Sequence, residues 1–259
     1  MSDFLDVLAH DAEETIDSGY YQTFKPTARV HASLRKAILQ CKDNAVITEI
    51  KAASPSAGTL RSNIKAGAIA KAMEKGGAVG ISVLTEPKHF NGSLQALADA
   101  REAAKLPILM KDIILSPIQV EAASQIGADA VLLIEALFER GYSQTVIDRM
   151  IALAHSKGLE VLLETHTEEE FLSAIETNAD LVGINNRNLA TLKVDLNTTK
   201  RILQKNDPKG LMVISESGIN TPADLRFLSD CGACAFLIGS AIMLTENIEE
   251  KVKEFVNAK

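Results

Sequence analysis

The 259-residue sequence predicts an α/β protein of the (β/α)8, or TIM-barrel, class, preceded by an N-terminal helical extension. Three observations point there. After residue 45, short apolar runs alternate with longer amphipathic stretches, and the runs start roughly 20 to 33 residues apart, the length of a strand, a helix and two loops. The runs are continuously apolar rather than alternating, as parallel strands covered on both faces require. Polar residues recur at the carboxyl ends of these runs, where a barrel opens its pocket. The rival architecture, a doubly wound sheet, opens with a glycine fingerprint after its first strand, whereas the first strand here ends in Glu-x-Lys.

Taken in order, residues 1–44 form an extension of a single barrel domain that spans 1–259. Phe4, Leu5, Val7 and Leu8 are expected on one helical face, and Leu34, Ile38 and Leu39 on another. Eight strands follow: Val46–Ile50, Val79–Leu84, Ile108–Met110, Ala130–Ile134, Glu160–Leu163, Leu181–Ile184, Leu211–Ser215 and Ala235–Gly239. The helices between them carry start signals. Ser116-Pro117-Ile118-Gln119, Thr167-Glu168-Glu169-Glu170 and Thr221-Pro222-Ala223-Asp224 each place a hydroxyl at the cap and a polar side chain three residues on. Gly76-Gly77-Ala78, Gly127-Ala128-Asp129 and Gly232-Ala233 follow helices, where glycine suits the left-handed position that ends a helix before the next strand.

Composition narrows the function classes. Apolar residues make up 46% and charged residues 24%, as in an ordinary globular chain. A formal charge of -7 argues against a nucleic-acid partner, without excluding a small anion held by a local field. No run is long enough to span a membrane, and Met1-Ser2-Asp3-Phe4 lacks a basic-then-apolar leader, so a cytoplasmic protein is expected. No second barrel is expected beyond Lys259. Cys231-Gly232-Ala233-Cys234 has CxxC spacing, but Cys41 is the only other thiol and no histidine pair accompanies it. A helix end leading into a buried strand is the expected reading, with no metal.

The strand ends carry the chemistry. They are Glu49 and Lys51, Ser82, Lys111 with Asp112, Glu135, Glu164, Asn185 and Arg187, Glu216 and Ser217, and Gly239-Ser240. On a strand, Glu49 and Lys51 share a face, and charges placed inside a barrel must be paired or used. Ser217-Gly218 and Gly239-Ser240 are small residues after the seventh and eighth strands, where many barrels hold a phosphate, and a short helix over Ala241–Leu244 would add its N-terminus. Lysines 51 and 111 are candidate acids, phosphate partners or Schiff-base nucleophiles, and Glu49, Glu164 and Glu216 are candidate bases. The set suits proton-driven rearrangement, dehydration or decarboxylation of a phosphorylated sugar derivative.

Several motifs carry a resemblance. Glu49-x-Lys51-x-x-Ser54-Pro55-Ser56, Ser82-Val83-Leu84-Thr85-Glu86 with Phe90-Asn91-Gly92-Ser93, and Lys111-Asp112 closely resemble indole-3-glycerol-phosphate synthase. So do Gly183-Ile184-Asn185-Asn186-Arg187-Asn188-Leu189, Ser215-Glu216-Ser217-Gly218-Ile219 and Leu237-Ile238-Gly239-Ser240. The likeness runs from about residue 33 to the C-terminus. It implies a carboxy-lyase of tryptophan biosynthesis that works without a cofactor. That enzyme closes the indole ring of 1-(2-carboxyphenylamino)-1-deoxyribulose 5-phosphate with loss of carbon dioxide and water. The implied catalytic set is Glu49, Lys51, Lys111, Glu164, Asn185, Glu216 and Ser217, with Lys111 as general acid and Lys51 and Glu164 managing the dehydration. Ser54, Ser82, Phe90, Ile113, Arg187, Gly218, Gly239 and Ser240 would contact substrate: Arg187 at the anthranilate carboxylate, Phe90 at the aromatic end, and the glycines and Ser240, with Lys51 and Ser217, at the phosphate. Other tryptophan-pathway enzymes are candidate partners.

Two positions depart from the family pattern. Ile113 stands where a phenylalanine is frequent, so apolar contact survives without ring stacking. Glu135 follows the fourth strand where many members carry an apolar or small residue. Rival readings are another phosphosugar barrel enzyme, either an isomerase or a Schiff-base aldolase, and a non-catalytic phosphosugar-binding barrel. An isomerase of the related type would show a Cys and Asp pair at strand ends, which is absent here. His166 is expected in a loop, and His89 on the loop after the second strand.

Overall fold

The computed structural model describes residues 3–22, 32–55, 58–61 and 64–258. Eight parallel strands close into a barrel: β1 (Ala45–Ile50), β2 (Gly80–Leu84), β3 (Ile108–Lys111), β4 (Ala130–Ile134), β5 (Glu160–Thr165), β6 (Leu181–Asn185), β7 (Met212–Glu216) and β8 (Ala235–Ile238). β8 pairs back onto β1 with Ile47 opposite Leu237, so the sheet has no free edge. All eight expected strands are present, with shifts of one or two residues at their ends. Among the described residues no helix is long and apolar enough to cross a membrane.

Period two divides the apolar side chains into two cores. Val46, Ile81, Val83, Met110, Val131, Val161, Val182 and Val213 point outward and pack under the ring of helices. Ala45, Ile47, Leu109, Leu132, Leu162, Ile214 and Leu237 point inward and fill the barrel. The strands are therefore apolar on both faces, which explains why the sequence shows unbroken runs.

The outer helices start and stop where their caps dictate. The helix Pro117–Ile126 opens on a Ser116/Gln119 capping box and ends at Gly127 with φ 96°. The helix Glu168–Ala174 is capped by Thr167, and the helix Pro222–Asp230 by a Thr221/Asp224 box. Cys231 caps the end of the latter and Cys234 directly precedes β8. The short helix after β8 spans Ser240–Met243, one residue earlier than expected.

Two further helices close the two ends of the barrel. α2 (Leu34–Gln40) lies under the amino ends of the strands. Ser33 Oγ and the Arg35 N–H both bond Glu160 at the start of β5, and Leu34 fills the space left by the missing side chain of Gly80. α1 (Phe4–Asp17) crosses the opposite mouth. Phe4 N–H donates to the Ala190 carbonyl at 3.5 Å, Arg140 pairs with Asp3 and Asp6, and Lys88 and His89 pair with Asp11. The buried face of α1 is Leu5, Leu8, Ala9 and Ala12. Val7 is exposed, because it lies two positions from Leu5 and so about 200° around the helix. Leu39 of α2 is exposed for the same kind of reason, Leu34 and Ile38 being the pair one turn apart.

Candidate active site

Alternate strands deliver the charged groups. On β1, β3, β5 and β7 the inward residues Ile47, Leu109, Leu162 and Ile214 form an apolar floor, and two residues further along each strand come Glu49, Lys111, Glu164 and Glu216. The even strands add Leu84, Ile134, Asn185 and Gly239 at the same mouth. One cavity of about 390 Å³ lies above this layer.

The Lys111 ammonium stands between two carboxyl groups, 2.7 Å from Glu164 Oε2 and 3.1 Å from Glu216 Oε2. Glu164 is held from its other oxygen by Asn185 Nδ2 at 2.9 Å. Lys51 pairs with Glu49 Oε1 at 2.5 Å. Burial opposes the Lys111 charge, but the carboxylates of Glu164, Glu216 and Glu49 outweigh it and hold the ammonium's pKa above the ordinary lysine value. Burial pushes the Glu216 carboxyl up to about 8; Lys111 pulls it down while Glu164 and Glu49 push it further up. Glu216 Oε1 has no hydrogen-bond partner among the described residues. It occupies the space that a side chain at Gly183 would fill, just as Glu49 Oε1 occupies the space beside Gly239. Each glycine is small because a carboxylate lies against it.

Arg187, half-buried, donates from Nη1 to the Leu192 carbonyl at 2.9 Å, and its N–H caps Asn185 Oδ1 at 2.9 Å. Burial lowers the Arg187 pKa and Glu49 opposes that. Ser217 and Gly218 turn through left-handed φ values of 66° and 81°, a conformation that costs a serine energy and persists only where neighbours impose it. Phe90 is set on the wall by the Glu86 carboxylate, which accepts from the N–H groups of Lys88, His89 and Phe90.

Of the residues singled out from the sequence, Glu49, Lys51, Ser54, Phe90, Lys111, Ile113, Glu164, Asn185, Arg187, Glu216, Ser217, Gly218, Gly239 and Ser240 all line the cavity. Ser82 does not. It points inward but one layer lower, buried beneath Leu84, with no partner for its hydroxyl among the described residues. Ser56 lies outside the described residues. Glu135 faces away from the cavity and is held by Ser173 Oγ at 2.6 Å. His166 sits in the loop after β5, its Nδ1 2.7 Å from the Asn185 carbonyl oxygen. Phe4, Leu8 and Leu189 complete the apolar wall; Leu189 ends the motif that carries Asn185 and Arg187, and no motif marked Phe4 or Leu8.

The family model for indole-3-glycerol phosphate synthase matches residues 7–255. The chain belongs to the indole-3-glycerol phosphate synthase family. A protein of that name from Methanocaldococcus jannaschii is 46% identical over 229 residues, covering 86% of this chain and 82% of its own length. One from Shouchella clausii is 42% identical over 228 residues, covering 88% and 86%. One from Neisseria meningitidis serogroup C is 45% identical over 208 residues, covering 80% and 78%. Among solved structures, the thiamine phosphate pyrophosphorylase of Pyrococcus furiosus superposes with a TM-score of 0.61 at 18% identity, over 86% of this chain and 96% of the other. The N-acetylmannosamine-6-phosphate 2-epimerase of Clostridium perfringens gives 0.60 at 19%, over 83% and 93%. At such identities these two show a shared fold and no more. Family membership makes the chain a carboxy-lyase of tryptophan biosynthesis.

Proposed function

We propose that the cavity binds 1-(2-carboxyphenylamino)-1-deoxyribulose 5-phosphate and closes its indole ring with Lys111 as general acid. The observation that supports this most directly is the Lys111 ammonium clasped by Glu164 and Glu216, in a cavity with apolar groups on one side and a glycine-serine rim on the other.

The substrate's phosphate would lie at Ser217, Gly218, Gly239 and Ser240 with Lys51 alongside. Its aromatic ring would rest against Phe90, Ile113 and Leu8, with the anthranilate carboxylate facing Arg187. As the ring carbon that bears the carboxylate attacks the ketone carbon, Lys111 gives its proton to the ketone oxygen. Cleavage of the carbon–carboxylate bond then releases carbon dioxide and returns the electron pair to the ring. In the last step a base takes a proton from the methylene carbon that joins the nitrogen to the hydroxyl-bearing carbon. The hydroxyl leaves as water after accepting a proton. Glu164, fixed by Asn185 and Lys111, and Lys51, fixed by Glu49, are the groups placed for this pair of transfers. Lys111 remains charged until the developing alkoxide competes with the flanking carboxylates for its proton. Glu216 holds that ammonium in place.

The same proposal takes residues 1–44 as an extension of one barrel domain, a cytoplasmic location, and other enzymes of the tryptophan pathway as partners. The test is to supply the carboxyphenylamino substrate and follow indole fluorescence. Product formation by the parent chain and none by Lys111→Ala supports the assignment, and near-normal turnover by the variant refutes it.

A further inference from the structure

Asp112 immediately follows Lys111 and is buried, yet no step above uses it. Its Oδ1 accepts from the Ile113 N–H at 2.8 Å. Its Oδ2 accepts from Thr85 Oγ1 at 2.5 Å and from the Tyr21 hydroxyl at 3.1 Å. Three donors converge on one carboxylate, from the strand end that carries Lys111, from the end of β2 and from the N-terminal stretch. Thr85 also grips the neighbouring peptide: its N–H donates to the Lys111 carbonyl at 3.0 Å, and its Oγ1 lies 3.4 Å from the same oxygen. The main chain on the carboxyl side of the Lys111 α-carbon is therefore tied twice, at its carbonyl by Thr85 and one residue on through Asp112.

We propose that Asp112 is a positioning residue for Lys111, and that Tyr21 completes the hydrogen-bonded triad through which it acts. The inference rests on the reading of Lys111 as the acid. Docking of the N-terminal stretch and placement of the ammonium are then one event, because the Tyr21 hydroxyl reaches the triad only when that stretch is seated. Tyr20 secures the seat, donating to the Thr85 carbonyl at 3.1 Å and accepting from the Leu94 N–H at 3.1 Å.

The chemistry of the site calls for a carboxylate. An acceptor-only group satisfies three converging donors, whereas an amide offers one acceptor oxygen and would turn its own N–H groups on the rest. A buried charge is costly unless hydrogen-bonded, so an apolar neighbour would be the cheaper residue if packing were the only demand. The charged and titratable groups around Asp112 are Glu86, Tyr20, Tyr21 and Lys111. Burial pushes the Asp112 carboxyl up to about 6, with Thr85 pulling it back and Glu86 adding to the rise. When Asp112 takes up a proton, its carboxyl becomes a donor to Thr85. The single Thr85 hydroxyl proton is then free to swing to the Lys111 carbonyl, so the tie changes on acidification.

Asp112→Asn, Tyr21→Phe and their combination test this in the full chain, with kcat and KM measured from about pH 5 to 9. Asp112→Asn is expected to lower kcat about ten- to hundredfold, the scale of a reacting group displaced by an ångström, with KM within about threefold of the parent. It is also expected to abolish the acid limb of kcat near pH 6, which a purely structural role would leave in place. Tyr21→Phe gives a smaller fall, and the double variant is no worse than Asp112→Asn alone, since both act through one contact. Should Asp112→Asn fail to fold, Tyr21→Phe and Thr85→Val decide by the same kcat reading. A kcat within about twofold of the parent in folded variants, or an unchanged acid limb, overturns the positioning role. That result beside an inactive Lys111→Ala leaves the acid assignment standing. An active Lys111→Ala removes both.

Discussion

Glu216→Gln separates the electrostatics of the site from its packing. The side chain keeps its shape, and a neutral amide replaces a carboxyl whose pKa burial has raised from 4.5 to about 8. Proton counting sets the sign. Between those two values the folded chain keeps a proton on Glu216 that the unfolded chain has lost, so stability falls as pH rises through the window. The amide has no such dependence. Each pH unit in the window is worth about 1.4 kcal/mol. From pH 5 to pH 8 the variant should therefore gain about 4 kcal/mol on the parent. For a chain of this length that is on the order of 10 °C in Tm. Part of this returns if Lys111, deprived of one partner, shifts toward Glu164, so the slope is a better reading than any single value. Thermal melts by circular dichroism at pH 5, 6, 7 and 8 give the difference in Tm directly, and indole fluorescence on the same samples gives activity. The expected outcome is a variant that becomes increasingly more stable than the parent as pH rises. A difference in Tm independent of pH would refute the claim that Glu216 is an acid held protonated by burial.

Three other expectations follow from the geometry. Borohydride added with substrate should leave no adduct on Lys51 or Lys111 by mass spectrometry, because Lys51 is charge-paired with Glu49 and Lys111 with Glu164; an adduct would revive the aldolase reading. Gly239→Ala should drive the new methyl group into Glu49 and spoil its pair with Lys51. Activity should fall on the order of a hundredfold with a modest loss of Tm, and a normal kcat/KM would show that Glu49 can move at no cost. Arg140→Ala releases Asp3 and Asp6 at the start of α1. Because those pairs are part-exposed, Tm should drop by only a few degrees while KM rises several-fold through the loosened Phe4 and Leu8 wall; an unchanged KM would mean that α1 does not shape the cavity.

Much of this site was legible in the linear chain because the relevant rules are local. Period two puts Glu49 and Lys51 on one face, and capping residues mark where each outer helix begins. The position of Lys111, Glu164, Asn185 and Glu216 at the ends of apolar runs marks the end of the barrel where the cavity lies. Depth along a strand was not legible: Ser82 and Leu84 have the same inward parity, and only the barrel's stagger decides that Leu84 reaches the cavity while Ser82 stays beneath it. Nor did amphipathicity tell α1 from α2, since an apolar stripe says that a helix is buried and not which end of the barrel it covers. Closure alone brings Lys111 against carboxylates 53 and 105 residues away. It sets the Tyr21 hydroxyl on a carboxylate 91 residues distant. Sequence by itself thus determined which residue types stand at the strand ends and which way they face. Tertiary structure decided which of them meet, how deeply they are buried and therefore which hold their protons, because desolvation and pairing depend on distances that exist only once the ring is closed.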